Sequence, residues 1–430
     1  MTACFVMAML FAPPALAREK LYSQIESAAA RVEPAVIAWR RDIHEHPELA
    51  NRETRTAALV AEHLRKLGLK VTTGIARTGV IGVLEGAKPG AVVALRADMD
   101  ALPVAERTGL PFASTVRSEY EGRDVPVMHA CGHDAHVAIL LGAATVLASL
   151  RQEFSGTVKF IFQPAEEGAP RGEEGGAELM IREGVLRDPD VEAIFGLHVG
   201  QQGLAGTATW RERGAMASAQ RFDITITGKQ THGARPWEGV DPIVVGAQIV
   251  TALQSIVSRN VDITSAPAVV TVGSFNSGVR NNIVPDEAVL SGTIRTFDPQ
   301  VQGRVHQRMR AIVSGIASSM GAEAKIEIER GVPVTWNDVD LVRRMLPTLK
   351  SVYGASRVFP APVSTGAEDF AHYQQEIPGF FFFVGARPAS VPPEGAVPNH
   401  SPFFDIDEAA LRPGVIAMSQ LAVDYLAGDD

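Results

Sequence analysis

Cysteine is almost missing from this chain: Cys4 and Cys131 are its only two in 430 residues. A disulfide-stapled framework is excluded, and a chain of this length buries enough core to do without one. A surplus of positive charge is missing too. Lys and Arg number 40 against 49 Asp and Glu, a formal net charge of −9. That balance leaves nothing to neutralise a phosphate backbone, so nucleic acid is not an expected partner. Internal repeats and low-complexity tracts are also lacking, and the length suggests two or three globular domains.

One apolar run stands out, ACFVMAMLFAPPALA at 3–17, followed at once by Arg18-Glu19-Lys20. It is too short to span a bilayer comfortably, so no stable membrane span is expected. Its apolar stretch and its Ala15-Leu16-Ala17 end read as a secretory signal over residues 1–17, with a periplasmic or secreted mature chain. Without a functional leader the chain would be cytoplasmic. Cleavage after Ala17 removes Cys4. A lone Cys131 beside histidines then reads as a ligand or a nucleophile, not a staple.

Periodicity places two helical patterns over 21–67 and strands at 70–73, 79–84 and 91–97. A loop is expected over 101–130, a helix over 134–150, and strands at 156–163 and 191–199. Strands alternating with helices predict an α/β domain, a mostly parallel sheet covered by helices on both faces. Beyond Trp210 the pattern changes to strand 219–227, helix 241–259, strands 267–275 and 286–297, helix 299–319 and strand 322–330. That β-α-β-β-α-β order is ferredoxin-like. The α/β pattern resumes with helix 338–353, strand 379–385 and helix 407–426. The expected layout is a discontinuous domain of 18–212 and 331–430 with an α+β insert at 213–330.

Chemistry-bearing residues gather in five stretches, each just after an apolar strand or in a turn. They are ALRADMDALP (94–103), HACGHDAH (129–136), FQPAEEG (162–168), GLHVG (196–200) and PNHSPFFDIDE (398–408). Together they offer Asp98, Asp100, Cys131, His133, Glu166, Glu167, His198 and His400. Taken singly, each has a plainer reading: a buried thiol, a solvated acidic pair, a turn-capping aspartate, a polar strand end. Taken together they fall where an α/β sheet puts its active edge. Thiolate, imidazole and carboxylate in one set suit zinc, manganese, cobalt or nickel better than calcium or magnesium.

With RADMDALP, MHACGHDAH, FQPAEEG, GGAELMI, GLHV, NNIVPDEAVLSGTIRTF, GAEDF and NHSPFF in place, the chain resembles the dinuclear-metal amidohydrolases and carboxypeptidases that include aminoacylases. Within them it is most similar to the branch of hippurate hydrolases, N-acyl-amino-acid amidohydrolases and indole-acetyl-amino-acid hydrolases. The matching strings run from about Asp42 to the C-terminus.

The resemblance implies an enzyme that hydrolyses the amide of an N-acyl-L-amino acid to a carboxylate and a free amino acid. It implies two divalent metal ions per subunit, bridged by the Cys131 thiolate, with His133, His198, Glu167 and His400 completing the ligands. Asp98, and by the same logic Asp134, would orient a ligating histidine. Glu166 would be the general base toward a metal-activated water and would then protonate the leaving nitrogen. His232, in GKQTHGARPW, would reach an active site, in many members the partner subunit's, and stabilise the oxyanion. Asn282, Arg280 and Arg295 would meet the substrate's carboxylate or the oxyanion. The insert would act as lid and dimerisation domain of a homodimer.

Some positions depart from the family's common pattern. Gln230-Thr231 precede the lid histidine, Trp237 stands where His is frequent, Gln220 where an acid is, and Ala367 where Ser is. None touches the ligand set; they bear on substrate preference and lid contacts. Three other readings stay open: Cys131 as direct nucleophile with His133 as base, a dipeptidase or carboxypeptidase on the same site, and a non-catalytic periplasmic binding protein.

Overall fold

The computed structural model describes residues 14–428. Most of the leader lies outside the described residues; Pro14 begins a helix that runs to Glu45. The chain divides into two compact units. One holds the residues up to Thr209 with Arg344–Val358 and Phe382–Asp430; the other holds Trp210–Arg343 and Phe359–Phe381.

Through the first unit runs an eight-stranded sheet, ordered Lys70–Ile75, Gly79–Glu85, Thr157–Gln163, Val92–Asp98, Ala193–Leu204, Gly379–Arg387, Ala208–Trp210, Val358–Pro360. Val92–Asp98 pairs in parallel with both Thr157–Gln163 and Ala193–Leu204. The hairpin of Lys70–Ile75 and Gly79–Glu85 adds an antiparallel edge. The central strands read VVALRAD and TVKFIFQ, nearly continuous apolar runs buried on both faces, as a sheet flanked by helices demands. Their two cations are buried but satisfied. The Lys159 ammonium donates to the carbonyls of Val185, Arg187 and Pro189 at 3.1, 2.6 and 2.9 Å. Arg96 donates to Gln163 and Asp98 at 2.9 and 2.6 Å.

Helix His133–Ser149 is buried almost all round. It packs against Pro14–Glu45, Leu411–Ala427 and the central strands. Gly142 permits that approach: a Cβ there would sit 2.6 Å from Val415 and 2.9 Å from Val36. One feature differs from the expected loop over 101–130. Arg117–Tyr120 and Arg123–Pro126 form a hairpin, closed through Glu121 and Gly122, both at positive φ. Of its residues only Tyr120 and Val125 pack against an apolar cluster, that of Leu49, Ala101 and Val127, so the apolar pattern is too short to mark it.

The second unit is an antiparallel sheet ordered Ala268–Ser277, Glu287–Thr296, Gln220–Thr227, Glu323–Ile328. Helices Pro242–Asn260 and Pro299–Ser319 pack on it. This is the ferredoxin-like arrangement. Strand Gln220–Thr227 alternates inward Phe222, Ile224 and Ile226 with more exposed residues, which fixes its face. Among the described helices only Pro242–Asn260 is long and apolar enough to cross a membrane by length and composition. Its Val245, Ile249, Leu253 and Ile256 lie in this unit's core.

A buried charge network ties the start of helix His133–Ser149 to the first helix. The Arg40 guanidinium donates to Asp134 at 2.8 Å and Asp405 at 2.7 Å. His44 sits between Asp134 (2.9 Å) and Glu106 (3.2 Å). Burial opposes charge on His44, yet the two carboxylates outweigh it and lift the imidazole to about 9. Asp134 is held far below the usual carboxylate range; burial opposes this, but Arg40 and His44 outweigh it. A raised histidine contributes stability fully below its unfolded value and loses it as pH rises through the folded one. A rise from the ordinary imidazole value to about 9 is worth ~3 kcal/mol. Urea unfolding should therefore show the wild-type advantage over His44→Gln shrinking by up to ~3 kcal/mol between pH 6 and pH 9.5. An advantage that does not change with pH would contradict a charged His44.

Candidate active site

The sheet register builds the site. Arg96 lies beside Gly196, and Asp98 beside Gln163. The C-terminal ends of three neighbouring strands thus deliver Asp98 and Asp100, Glu166 and Glu167, and His198 to one edge. Cys131 and His133 come from the turn that starts helix His133–Ser149. Gly132 in that turn has φ 94°, and a Cβ there would lie 2.4 Å from Val199, so only glycine fits. His400 arrives from the C-terminal loop in a left-handed conformation, φ 70°. Its amide donates to the Ala130 carbonyl at 2.7 Å, and Asn399 donates to the Cys131 carbonyl at 3.0 Å. The loop is therefore pinned to the cysteine turn.

Five of the anticipated donors converge. Cys131 Sγ lies 3.4 Å from His198 Nε2 and 3.2 Å from His400 Nε2. His400 Nε2 lies 2.9 Å from a Glu167 oxygen. The donors fall into two sets that share the sulfur: Cys131, His133 and His198, and Cys131, Glu167 and His400, each within 4.8 Å. Glu166 lies 3.8 Å from His133 Nε2 and groups with His133 and Glu167, away from the sulfur.

The hydrogen bonding of two histidines fits a metal as well. His133 directs Nδ1 at the Asp100 carbonyl, 2.8 Å away, and the buried Nε2 has no hydrogen-bond partner. His198 likewise turns Nδ1 to the Val199 carbonyl at 2.8 Å, leaving Nε2 toward the sulfur. Burial, with His136 beside it, holds His198 neutral by lowering it to about 3. Burial also pushes the Cys131 thiol up. A thiolate in that place needs a cation against it, and a divalent ion is the one that S, N and O donors together select. The residues fit a pair of divalent ions.

The other anticipated residues spread out. Asp98 meets His136 at 2.6 Å and Arg96 at 2.6 Å; its distance to His133 Nε2 is 3.7 Å. The hydrogen bond that sets the His133 tautomer is donated by its Nδ1 to the Asp100 carbonyl instead. Asp134 faces Arg40 and His44 and bonds no histidine of the donor sets. His232, Asn282, Arg280 and Arg295 all belong to the second unit. There Thr231–His232 pairs with Ile283–Val284, which puts His232 next to Asn282. Arg280 is in the turn just before. Arg295 is eight residues along strand Glu287–Thr296 from its start, roughly 26 Å at about 3.3 Å per residue, and stands apart from that hairpin.

Sequence reasoning left the supporting residues unassigned. His136 accepts from the Val199 amide at 2.9 Å while its other nitrogen meets Asp98. Asp100 takes the amides of Glu166 and Glu167 at 3.0 Å each and so aims both side chains. The dense DMD and HDAH strings hinted at such work, but spacing does not say which acid meets which partner.

Comparison with known proteins agrees with this geometry. The model of peptidase family M20/M25/M40 matches residues 94–424. Thermostable carboxypeptidase 1 of Saccharolobus solfataricus is 40% identical over 408 residues, covering 94% of this chain and 99% of that protein. An N-acetylcysteine deacetylase of Bacillus subtilis is 39% identical over 392 residues, covering 91% and 97%. A crystal structure from Bacillus subtilis, described as a dinuclear metal binding peptidase, superposes with a TM-score of 0.77 at 36% identity, covering 93% of this chain and 99% of that one. Fold and sequence coincide over nearly the whole chain, and the protein belongs to peptidase family M20/M25/M40 as a metal-dependent hydrolase.

Proposed function

We propose that the chain cleaves the amide of N-acyl-L-amino acids, with Glu166 as general base and proton carrier. The observation that carries this is the pair of donor sets sharing Cys131, with Glu166 beside them, 3.8 Å from His133 and grouped with His133 and Glu167 rather than with the sulfur. Cys131, His133 and His198 would hold one divalent ion; Cys131, Glu167 and His400 would hold the other. Bound there, the ions supply Lewis-acid pull on the acyl carbonyl and lower the pKa of water. Glu166 takes a proton from the attacking water. The water oxygen bonds to the acyl carbon, the C–N bond breaks, and Glu166 returns the proton to the departing nitrogen. His232, exposed on its short ladder beside Asn282, would donate to the developing oxyanion of an active site, the partner's in a dimer. Asn282 and Arg280 would meet the substrate carboxylate; the position of Arg295 favours that role least.

Similarity to a deacetylase supports the acyl substrate, and similarity to a carboxypeptidase supports peptides on the same machinery. The N-terminal run that ends Ala-Leu-Ala supports export after cleavage at Ala17.

A homodimer through the second unit is supported by the contrast between its two sheet edges. Strand Glu323–Ile328, EAKIEI, alternates charges that repel strand addition. Strand Ala268–Ser277, AVVTVGSFNS, carries no charge and leaves Val269 and Phe275 exposed. The neighbouring helix adds exposed Ile243 and Val244. Placing lysines at Val269 and Thr271 should convert a dimer to monomers in light scattering. A dimer that survives both would move the interface elsewhere.

Free-amine release tests the activity itself. N-acetyl, N-benzoyl and indole-acetyl amino acids are compared with dipeptides, with chelated enzyme and with enzyme reloaded with Mn, Zn, Co or Ni. Metal-dependent release from acylated amino acids is expected. Release from dipeptides alone would make the chain a peptidase, and full activity after chelation would return Cys131 as nucleophile.

Glu166→Gln should lower kcat by ~10²–10⁴-fold, the usual worth of a general base, while keeping its metal content. Near-normal turnover in that variant would end the proposed mechanism.

A further inference from the structure

The turn that carries Glu166 and Glu167 is not a relaxed one. Ala165 has φ 54°, the left-handed region that a residue with a Cβ disfavours. Its side chain is buried, so no solvent contact compensates. Such a conformation persists only when its surroundings impose it. Asp100 accounts for the amides of Glu166 and Glu167. The Ala165 amide, at the strained residue itself, goes elsewhere: it donates to Glu53 Oε1 at 2.9 Å.

Glu53 lies far away in sequence, at the start of helix Thr54–Lys66, and is completely buried. The same Oε1 also accepts from the Asn51 amide at 3.0 Å, and Asn51 is left-handed too, φ 63°. Oε2 accepts from the Thr78 hydroxyl at 2.5 Å. Thr78 follows Ala76 and Arg77, two more left-handed residues. Three strained turns therefore meet on one carboxyl group, and one of them aims the proposed base. A buried acid is an expensive way to cap a helix. This one caps nothing: no side-chain hydrogen bond to its own helix is made.

We infer that Glu53 is a positioning residue for Glu166 and Glu167: it holds Ala165 left-handed, and so fixes the direction in which both carboxylates leave the turn. The inference rests on the reading of Glu166 as general base. Its geometric content is specific. What matters is a side chain long enough to reach the Ala165 amide with an acceptor, not a negative charge. Burial, and then the charge of Asp100, push the Glu53 carboxyl up, so a neutral group there is no anomaly. Glutamine keeps the Oε1 acceptor and can donate from Nε2 to Thr78, whose hydroxyl oxygen accepts equally well. Aspartate keeps the charge but falls one methylene short.

Kinetics and metal affinity of Glu53→Gln and Glu53→Asp separate length from charge. Turnover is measured per folded molecule on the best-hydrolysed N-acyl amino acid of the panel, with metal-loaded enzyme. Affinity for the two ions is measured by chelator competition. E53D should lose ~10- to 100-fold in kcat, the scale of an ångström's misplacement, with KM within about twofold. It should also bind one of the two ions more weakly, because Glu167 shares the turn. E53Q should stay within ~3-fold on both readouts. Loss of either readout in E53D, with both kept in E53Q, supports the inference. E53D with normal turnover and normal affinity, or E53Q falling as far as E53D, overturns it. If E53D does not fold, the isosteric Thr78→Val takes its place. That variant should lose ~3- to 10-fold in kcat by freeing Oε2, and no loss would overturn the inference equally. Failure of the general-base reading looks different. Glu166→Gln would then turn over normally, while the affinity readout, which reports on Glu167, would still judge Glu53.

Discussion

A buried sulfur among imidazole and carboxylate donors is what the rest of this structure is arranged around. Cys131 is buried, and burial alone keeps its proton on. It becomes an anion only if positive charge can be brought within a few ångströms. The fold gathers donors that could hold such a charge: two histidines and a glutamate from other segments, with a third histidine from the cysteine's own turn, share a space a few ångströms wide around it. The close packing of helix His133–Ser149, the glycine at 132 and the pinned C-terminal loop all serve this placement.

Convergence also explains why so much buried charge surrounds the site. Arg40, His44, Asp134, Arg96, Asp98 and His136 are all buried, and each is paired. A buried pair of this kind is weak evidence for stability, since desolvation offsets much of the attraction. Its use here is directional. Arg40 and His44 fix the first turn of the helix that bears His133. Arg96 and His136 use up both oxygens of Asp98, so that carboxylate has a single orientation. Rigid placement of donors is what a shared-ligand site needs, because one ion's misfit becomes the other's.

Much of this was legible in the sequence, for a physical reason. Central strands of an α/β sheet are apolar to their last residue, so polar letters at their ends stand out: DMD after VVALRA, PAEE after FIFQ, H after AIFGL. The ferredoxin-like order was legible because strands such as QRFDITIT alternate and its helices are long. What stayed hidden depends on pairing across sequence. Asp98 looked like the partner of a ligand histidine, yet the His133 tautomer is set by a backbone carbonyl, which no side-chain string records. The 117–126 hairpin turns only Tyr120 and Val125 to an apolar cluster, too few to give a period-two signal. Glu53 sits in an ordinary helix start, and its importance lies in an amide more than a hundred residues away.

The same distinction separates the chemistry from the choice of substrate. The donor sets and Glu166 are the groups proposed to act on the amide, the one group common to every substrate of the class, and they are fixed by contacts of the fold itself. Side chains that could read the rest of a substrate are not so fixed. Trp237 is 77% exposed on the His232 segment, a costly place for an indole with no partner there. Gln220 is spent on His306 and two backbone carbonyls, so the neutral residue where relatives often carry an acid has a local role in its own unit. Of these two departures from the common pattern, Gln220 is thus explained by folding, and the exposed Trp237 is not.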